Sequence, residues 1–593
     1  MNDASEILKA AIQNHQAGNL QEAEQLYSQV LKENPDHPLA LHSLGIVAHQ
    51  KGQNDIASDL IEKVILSNPQ VPQFYNTQGL VFEALDKIDA AICSYEKAIS
   101  LNPDFAEAYL NLAIAFQSKG DFAAAVEKCK QIISLFGDLA NVYNIMGYSL
   151  QQQEKLEEAI ESYQKAIQLE PDFVEAYNQI GVILNTQEKY AQATENCKKA
   201  LELDADYAEA HNNLGVALNG CEKYAEAMES YQKAIGLDSD YAQAYYNMGN
   251  CLRNQNRCEE SIAIYKKAIQ INPDYAEAHW NLSHSLLLTG NFSQGWDEYA
   301  WRRKPELKII TYPHKYEQPY WNGSSFKGKR LLVHYEQGFG DNLLFIRYLP
   351  MVKQRGGTVI LEAREPLFKL FKQIDGVDEF VRACPEGNAP DIEFDLHTSP
   401  LDMPGIFGTT LETIPCKIPY LHAEPAPTAY WRTRVDPEYF KVGLVWAGSD
   451  LYGNNQNRSC RLEHFAPLAK IEGVKLYGLQ KGNAAKQVEE LSSDMEVIGL
   501  GEEFEDFTNT AGAIENMDLV ISVDTSVLHL AGAMGKNVWA LIAFEPEWRW
   551  MLDRQESPWY PTMRLFRQKK RQDWDELFGR VGEQLEILVG KRH

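Results

Sequence analysis

Three short stretches in the second half of the chain hold residue types suited to binding a phosphorylated ligand. In EQGFGD, Gly338 and Gly340 free the backbone to come close to a ligand, and Asp341 stands at the start of a helix. A helix cap alone would also account for that aspartate. In NNQNRSCRLEHF, Arg458 and Ser459 precede a helix, where a guanidinium can pair bidentately with phosphate. An exposed arginine in a polar loop is otherwise ordinary. In VISVDTSVLHLAGAMG, Asp524 ends an apolar strand, while Thr525 and Ser526 open a helix whose free N–H groups suit a pyrophosphate. His529 lies within a turn of that end. Taken singly, Asp524 and Thr525 read as capping residues and His529 as a satisfied, half-buried histidine.

The elements around these stretches put them where ligands are expected. From about Lys329, strand-like runs alternate with helical ones: KRLLVHYE, NLLFIRYLPMVKQRG, TVILEA, then a helix around PLFKLFKQI. A Pro-rich crossing over roughly residues 400–437 follows, and the alternation restarts with KVGLVWAG and runs through KLYGLQ, DLVISVD and VWALIA. This pattern predicts α/β architecture in two Rossmann-like lobes. The first covers 329–437 with the crossing, and the second covers 438–593 and ends in a helix. Ligands of such sheets sit beyond the carboxyl ends of the strands, in the strand-to-helix loops.

The first half has a different period. In rows of 34 from Ala4, one column reads Ala11, Gly45, Gly79, Ala113, Gly147, Gly181, Gly215, Gly249, Ser283. A second, twelve places on, runs from Ala23 through Ala227 to Ser261 and Gly295, and four places later come Tyr27, Tyr95, Tyr163, Tyr231, Tyr265 and Tyr299. The small columns let paired helices approach, and the tyrosines are expected to fill the space between hairpins. Pro35, Pro69, Pro103, Pro171 and Pro273 stop one helix and open the next unit. Period and columns resemble the tetratricopeptide repeat (TPR), over nine frames at 4–309, with a connector at 310–328. The resemblance implies an α-solenoid with a concave groove for peptides or extended segments.

Asn111, Asn213, Asn247 and Asn281 share one repeat position. In the TPR domain of O-GlcNAc transferase, asparagines at the equivalent place line the groove and bond a peptide's backbone, which makes these four acceptor-groove candidates. The other reading is a tolerated polar residue on a solvated face. Ser43, Thr77, Ile145 and Gln179 hold the position elsewhere. In the ninth frame, Trp296, Tyr299 and Trp301 are expected to wedge the solenoid onto the next domain, with sugar stacking as the alternative.

The order GxGD, a basic loop before EHF, then D-T-S-x-x-H-L-A-x-A-x-G looks like glycosyltransferase family 9, the ADP-heptose transferases of lipopolysaccharide synthesis. It spans about residues 329–545, and the whole plan looks like bacterial TPR proteins carrying such a domain. The resemblance implies a GT-B type fold and a catalytic base at Asp341. It also implies donor binding by Gly338, Gly340, Arg458, Ser459, Asp524, Thr525, Ser526 and His529, with Gln480 and Lys481 ending the intervening strand. Arg458 stands where the family usually has lysine, and Arg461 replaces a usual proline.

Composition narrows the partners. The formal charge of −27, about −19 of it before residue 310 and about −8 after, argues against nucleic acid. The basic run Arg564, Arg567, Lys569, Lys570, Arg571 reads as a solvated edge. Nine scattered cysteines without a CxxC pair, and no leader or apolar span, point to a cytoplasmic protein with reduced thiols. The DxD pairs Asp238/Asp240 and Asp573/Asp575 fall in a repeat turn and at a helix cap, so neither a metal nor another cofactor is expected. The expected activity is inverting transfer from a nucleotide-diphosphate sugar to a protein or peptide brought by the repeats. An O-GlcNAc-type transferase and a non-catalytic TPR scaffold are the rivals.

Overall fold

The computed structural model describes residues 2–307, 316–384, 390–449, 455–492 and 495–591. Residues 310–315 of the expected connector lie outside the described residues. The chain divides into two compact units, Met1–Ser239 and Asp240–His593.

Among the described residues, the first unit consists of seven helix pairs, from Asn2–Gln16 with Leu20–Glu33 to Ala208–Gly220 with Tyr224–Leu237. Each pair turns at one position of the 34-residue frame. Gly18, Gly52, Asp86, Gly120, Glu154, Glu188 and Glu222 all have φ between +57° and +81° there. A left-handed residue closes a helix end, and glycine adopts it most cheaply. The small column makes room for tyrosine inside each hairpin. A Cβ added at Gly215 would lie 2.5 Å from the Tyr231 ring, and at Gly147 2.8 Å from the Tyr163 ring. These partners share a hairpin, so the tyrosines fill its interior and not the space between hairpins, as the spacing suggested. Where cysteine takes the place of tyrosine, the Cys197 Sγ would lie 2.6 Å from a Cβ on Gly181. Cys129 and Cys197 are buried, as core substitutes should be.

The second unit opens with two more hairpins, Ala242–Asn254 with Cys258–Ile271 and Ala276–Leu288 with Phe292–Tyr299. Two parallel sheets follow. The first holds β1 (Arg330–Val333), β2 (Thr358–Ala363), β3 (Glu379–Arg382) and β4 (Leu396–Thr398) in the order β3-β2-β1-β4. The second holds β5 (Phe440–Val445), β6 (Val474–Gly478), β7 (Val497–Gly499), β8 (Leu519–Val523), β9 (Val538–Ile542) and β10 (Met563–Arg567), in the order β10-β9-β8-β5-β6-β7. Every residue of β8 and β9 is buried, as expected of strands covered on both faces. The last helix, Trp574–Gly590, buries Leu577, Phe578, Val581 and Leu585 in the core of the second sheet.

The last repeat belongs physically to this second unit. Trp296 is buried, stands edge-on to Trp548 at 5.3 Å, and donates from Nε1 to the Thr409 carbonyl at 2.8 Å. Trp301 instead stacks on His279 at 3.8 Å, within the repeat. Arg302, 2% exposed, forks onto Glu336 at 2.8 and 2.9 Å and onto Asp402 at 2.9 and 2.7 Å. The wedge is therefore both an apolar dock and a buried ion cluster.

Candidate functional site

The three stretches singled out in the sequence all follow strand ends. EQGFGD follows β1, the described part of NNQNRSCRLEHF (455–465) comes after β5, and Asp524 follows β8. Gly338 precedes the helix Phe339–Phe345, and its N–H donates to Asp341 Oδ2 at 3.1 Å. Gln337 has φ +56°, a left-handed conformation uncommon outside glycine. Arg364 supports this loop: Nη2 donates to the Gln337 carbonyl at 2.9 Å, and the guanidinium lies 4.0 Å from the Phe339 ring centre.

The loops after β1 and β8 meet. A Cβ on Gly340 would lie 2.8 Å from His529 Cδ2 and 3.6 Å from Ser526 Cα. Glycine at 340 thus permits a close approach between the two sheets' loops, and here the near neighbour is protein. Thr525 stands at the N-terminal boundary of the helix Ser526–Ala533 without a side-chain capping bond, and its Oγ1 lies 3.0 Å from Ser522 Oγ. Asp524 Oδ2 accepts from Trp550 Nε1 at 2.8 Å, and Oδ1 lies 3.7 Å from His529 Nε2. Burial pushes the Asp524 carboxyl up. His529, the Arg458 guanidinium and the Trp550 N–H outweigh that effect and hold it below the usual aspartate range. His529 Nδ1 meets Tyr560 Oη at 3.0 Å.

Arg458 ends the short helix Asn455–Arg458 and crosses Gly448, where a Cβ would lie 2.5 Å from its Nη2. Ser459 Oγ accepts from the Gly448 N–H at 3.0 Å and donates to Asn455 Oδ1 at 2.9 Å. Gln480 and Lys481 bond to backbone. Gln480 Oε1 accepts from the N–H groups of Trp446 and Ala447 at 3.1 and 2.9 Å, and Lys481 Nζ donates to the Phe504 carbonyl.

Arg549 has no motif or spacing that marks it in the sequence. It is 7% exposed, follows β9 in the turn Trp548–Trp550, and its Nη2 pairs with Asp341 Oδ1. Its guanidinium lies 4.6 Å from the Trp548 ring centre, and Nη1 is 3.5 Å from Glu547. The tryptophan-rich segment EPEWRW around it carries no spacing that names a partner 208 residues away.

The asparagine column bonds along the stack. Asn111 Nδ2 donates to Asn76 Oδ1 at 3.0 Å and Asn213 Nδ2 to Asn178 Oδ1 at 2.9 Å. Asn281 Nδ2 donates to Tyr246 Oη at 3.1 Å and Asn250 Oδ1 at 2.8 Å, while Asn247 Oδ1 accepts from Gln243 at 3.4 Å. All four remain half-buried. In the basic run, Lys569 pairs with Glu576 at 2.6 Å, Arg571 pairs with Glu545, and Arg567 donates to the Arg554 carbonyl at 2.8 Å. Asp573 caps the last helix at the Glu576 N–H, 3.3 Å away. Among the described residues, no group of three or more His, Cys, Asp or Glu is arranged to hold a metal ion. Among them, too, no helix is long and apolar enough to cross a membrane.

Family comparisons identify the repeats. The tetratricopeptide repeat description matches residues 14–80 and 107–138, and the TPR repeat description matches 79–120, 147–187, 183–219, 221–252 and 249–290. The N-terminal 290 residues or so are thus tetratricopeptide repeats, a class that mediates protein–protein interaction. Protein FlbA of Caulobacter vibrioides is 28% identical over 326 residues, covering 51% of this chain and 53% of FlbA. The chain spans about half the length of that relative. Among solved structures, YrrB, described as a TPR protein with an unusual peptide-binding site, is 23% identical. That match covers 31% of this chain and 95% of YrrB, with a TM-score of 0.27. A tetratricopeptide repeat protein of Parabacteroides merdae is 14% identical, covering 42% of this chain and all of that one, with a TM-score of 0.36.

Proposed function

We propose that the protein is an inverting, metal-independent glycosyltransferase whose two sheets are the Rossmann-like lobes of a GT-B type enzyme. In this reading the repeats recruit a protein or peptide acceptor. The observation that carries it is the meeting of the loops after β1 and β8, with Gly340 against His529 and Ser526. That contact brings a carboxylate loop and a helix N-terminus together beyond the strand ends, the region such folds use for ligands. Asp341 takes the proton of the acceptor hydroxyl as its oxygen bonds to the anomeric carbon. The bond from that carbon to the phosphate oxygen breaks, and the electron pair leaves with the nucleoside diphosphate. Arg458 and the helix opened by Thr525 and Ser526 stabilise the charge that grows there. The donor is a nucleotide-diphosphate sugar, used as substrate, and no resident cofactor is required. A thermal-shift screen with ADP-, GDP-, UDP- and CMP-sugars tests this, since a ligand that binds the native state must raise its melting temperature. One or more of the diphosphate sugars should stabilise the protein, and no shift with any of the four would count against the proposal.

A second reading, a scaffold without activity, draws on Gln480 and Lys481 being bonded to backbone and on Arg549 engaging Asp341. The half-buried asparagines support a peptide groove under either reading, including an O-GlcNAc-type transferase.

A further inference from the structure

We infer that Arg549 is a latch, holding Asp341 until the diphosphate of a donor takes the guanidinium away. This rests on the proposed transferase reading and adds to it a control on the base. Asp341 Oδ2 already accepts the Gly338 N–H at 3.1 Å, and Oδ1 accepts from Arg549. A carboxylate engaged in this way directs its electron pairs at the guanidinium, not at an incoming hydroxyl.

Arg549 is equipped to serve a second anion. Its planar head carries five N–H donors. Nη2 meets Asp341, Nη1 approaches Glu547, and the buried Nε has no hydrogen-bond partner among the described residues. Asp524, at the mouth of the β8 loop, contributes to the field on Arg549, and the adjacent Trp550 donates to Asp524. The guanidinium thus stands between the carboxylate loop of the first sheet and the loop of the second that would hold phosphates. A diphosphate there offers two or more oxygens to a donor set only partly used, and bidentate pairing with phosphate is what arginine does best.

The backbone beside Arg549 is strained. Met551, which follows the turn Trp548–Trp550, has φ +55° and ψ −172°, a region almost confined to glycine, and Asp553 has φ +51°. Such conformations persist only where surrounding packing enforces them, and they gather at switch segments. Here the packing is Trp548 under the guanidinium and Trp559 Nε1 donating to the Arg549 carbonyl at 3.0 Å.

The test is calorimetric titration of the full chain with ADP, GDP, UDP and CDP. Because Asp341 and the diphosphate compete for Arg549, Asp341→Asn should tighten the preferred nucleoside diphosphate by roughly tenfold, although it removes the base. Arg549→Gln should weaken the same ligand by roughly tenfold or more, with Arg549→Lys between it and the wild type. In Asp341→Asn/Arg549→Gln the gain from the asparagine should vanish. Asp341→Asn is near-isosteric and keeps the latch informative if Arg549→Gln fails to fold. Unchanged or weaker binding by Asp341→Asn would overturn the latch while leaving the transferase reading in place. No binding of any of the four by the wild type would sink both.

Discussion

The Trp296 indole donates a 2.8 Å hydrogen bond to the Thr409 carbonyl, 113 residues away. A repeat residue is thereby part of the core that supports the first sheet. Cutting the chain near Pro305 would remove that indole and the Arg302 fork, leaving Glu336 and Asp402 buried without their cation. Breaking such a buried pair costs about 3–5 kcal/mol. A fragment of Asp240–His593 should therefore melt cooperatively, whereas one starting at Pro305 should melt at least 10 °C lower or fail to fold. Circular dichroism melts of the two fragments decide this, and equal melting temperatures would refute it.

The glycine column makes a prediction about the repeats. Gly215→Ala would press a Cβ to within 2.5 Å of the Tyr231 ring and should cost about 1–3 kcal/mol. The frame that carries Ala113 has Cys129 in the tyrosine's place, so Tyr231→Cys should recover part of the loss in Gly215→Ala. A double-mutant cycle by urea titration measures that coupling, and strict additivity would mean the two positions are independent.

Glu362 gives a pH signature. It lies in β2, 1% exposed, and burial pushes its carboxyl up from 4.5 to about 7, against the opposing effect of the Tyr335 and Cys384 backbone. Between those values the native state holds a proton that the unfolded chain has released. Stability therefore falls as pH rises through this window, by about 3 kcal/mol in all. Relative to the wild type, Glu362→Gln should gain in melting temperature from pH 5 to pH 8. A constant difference between the two proteins would contradict this.

Arg458→Ala should weaken donor binding by about 1.5–3 kcal/mol, as expected for removing a charge-assisted partner. Titration in EDTA checks this and the metal independence together. Binding that needs magnesium or manganese would reject the metal-free mechanism.

Much of this was legible because certain constraints are local. A fixed 34-residue period exposes columns, and unbroken apolar runs such as LVISV mark buried parallel strands and hence the loops beyond them. The misassigned tyrosines show the limit, because spacing names a position in the repeat but not which neighbour it faces. Arg549 with Asp341, and Arg302 with Glu336 and Asp402, were out of reach for another reason. Ion pairs between distant segments leave no periodic trace, and a tryptophan-rich turn looks like core until its arginine is seen facing a carboxylate. Gln480 and Lys481 could be named from the sequence, but not their partners, which are backbone groups that every residue carries.

Proton removal by Asp341 is the step on which the proposed sugar transfer depends. Its most direct test is single-turnover transfer from a labelled nucleotide-diphosphate sugar to cell-lysate protein, with EDTA present, by wild type and Asp341→Asn. The wild type should give labelled acceptor, and the asparagine variant should do so at a rate roughly 10²–10⁴-fold lower. Equal rates, or no transfer by the wild type from a donor it binds, would contradict this.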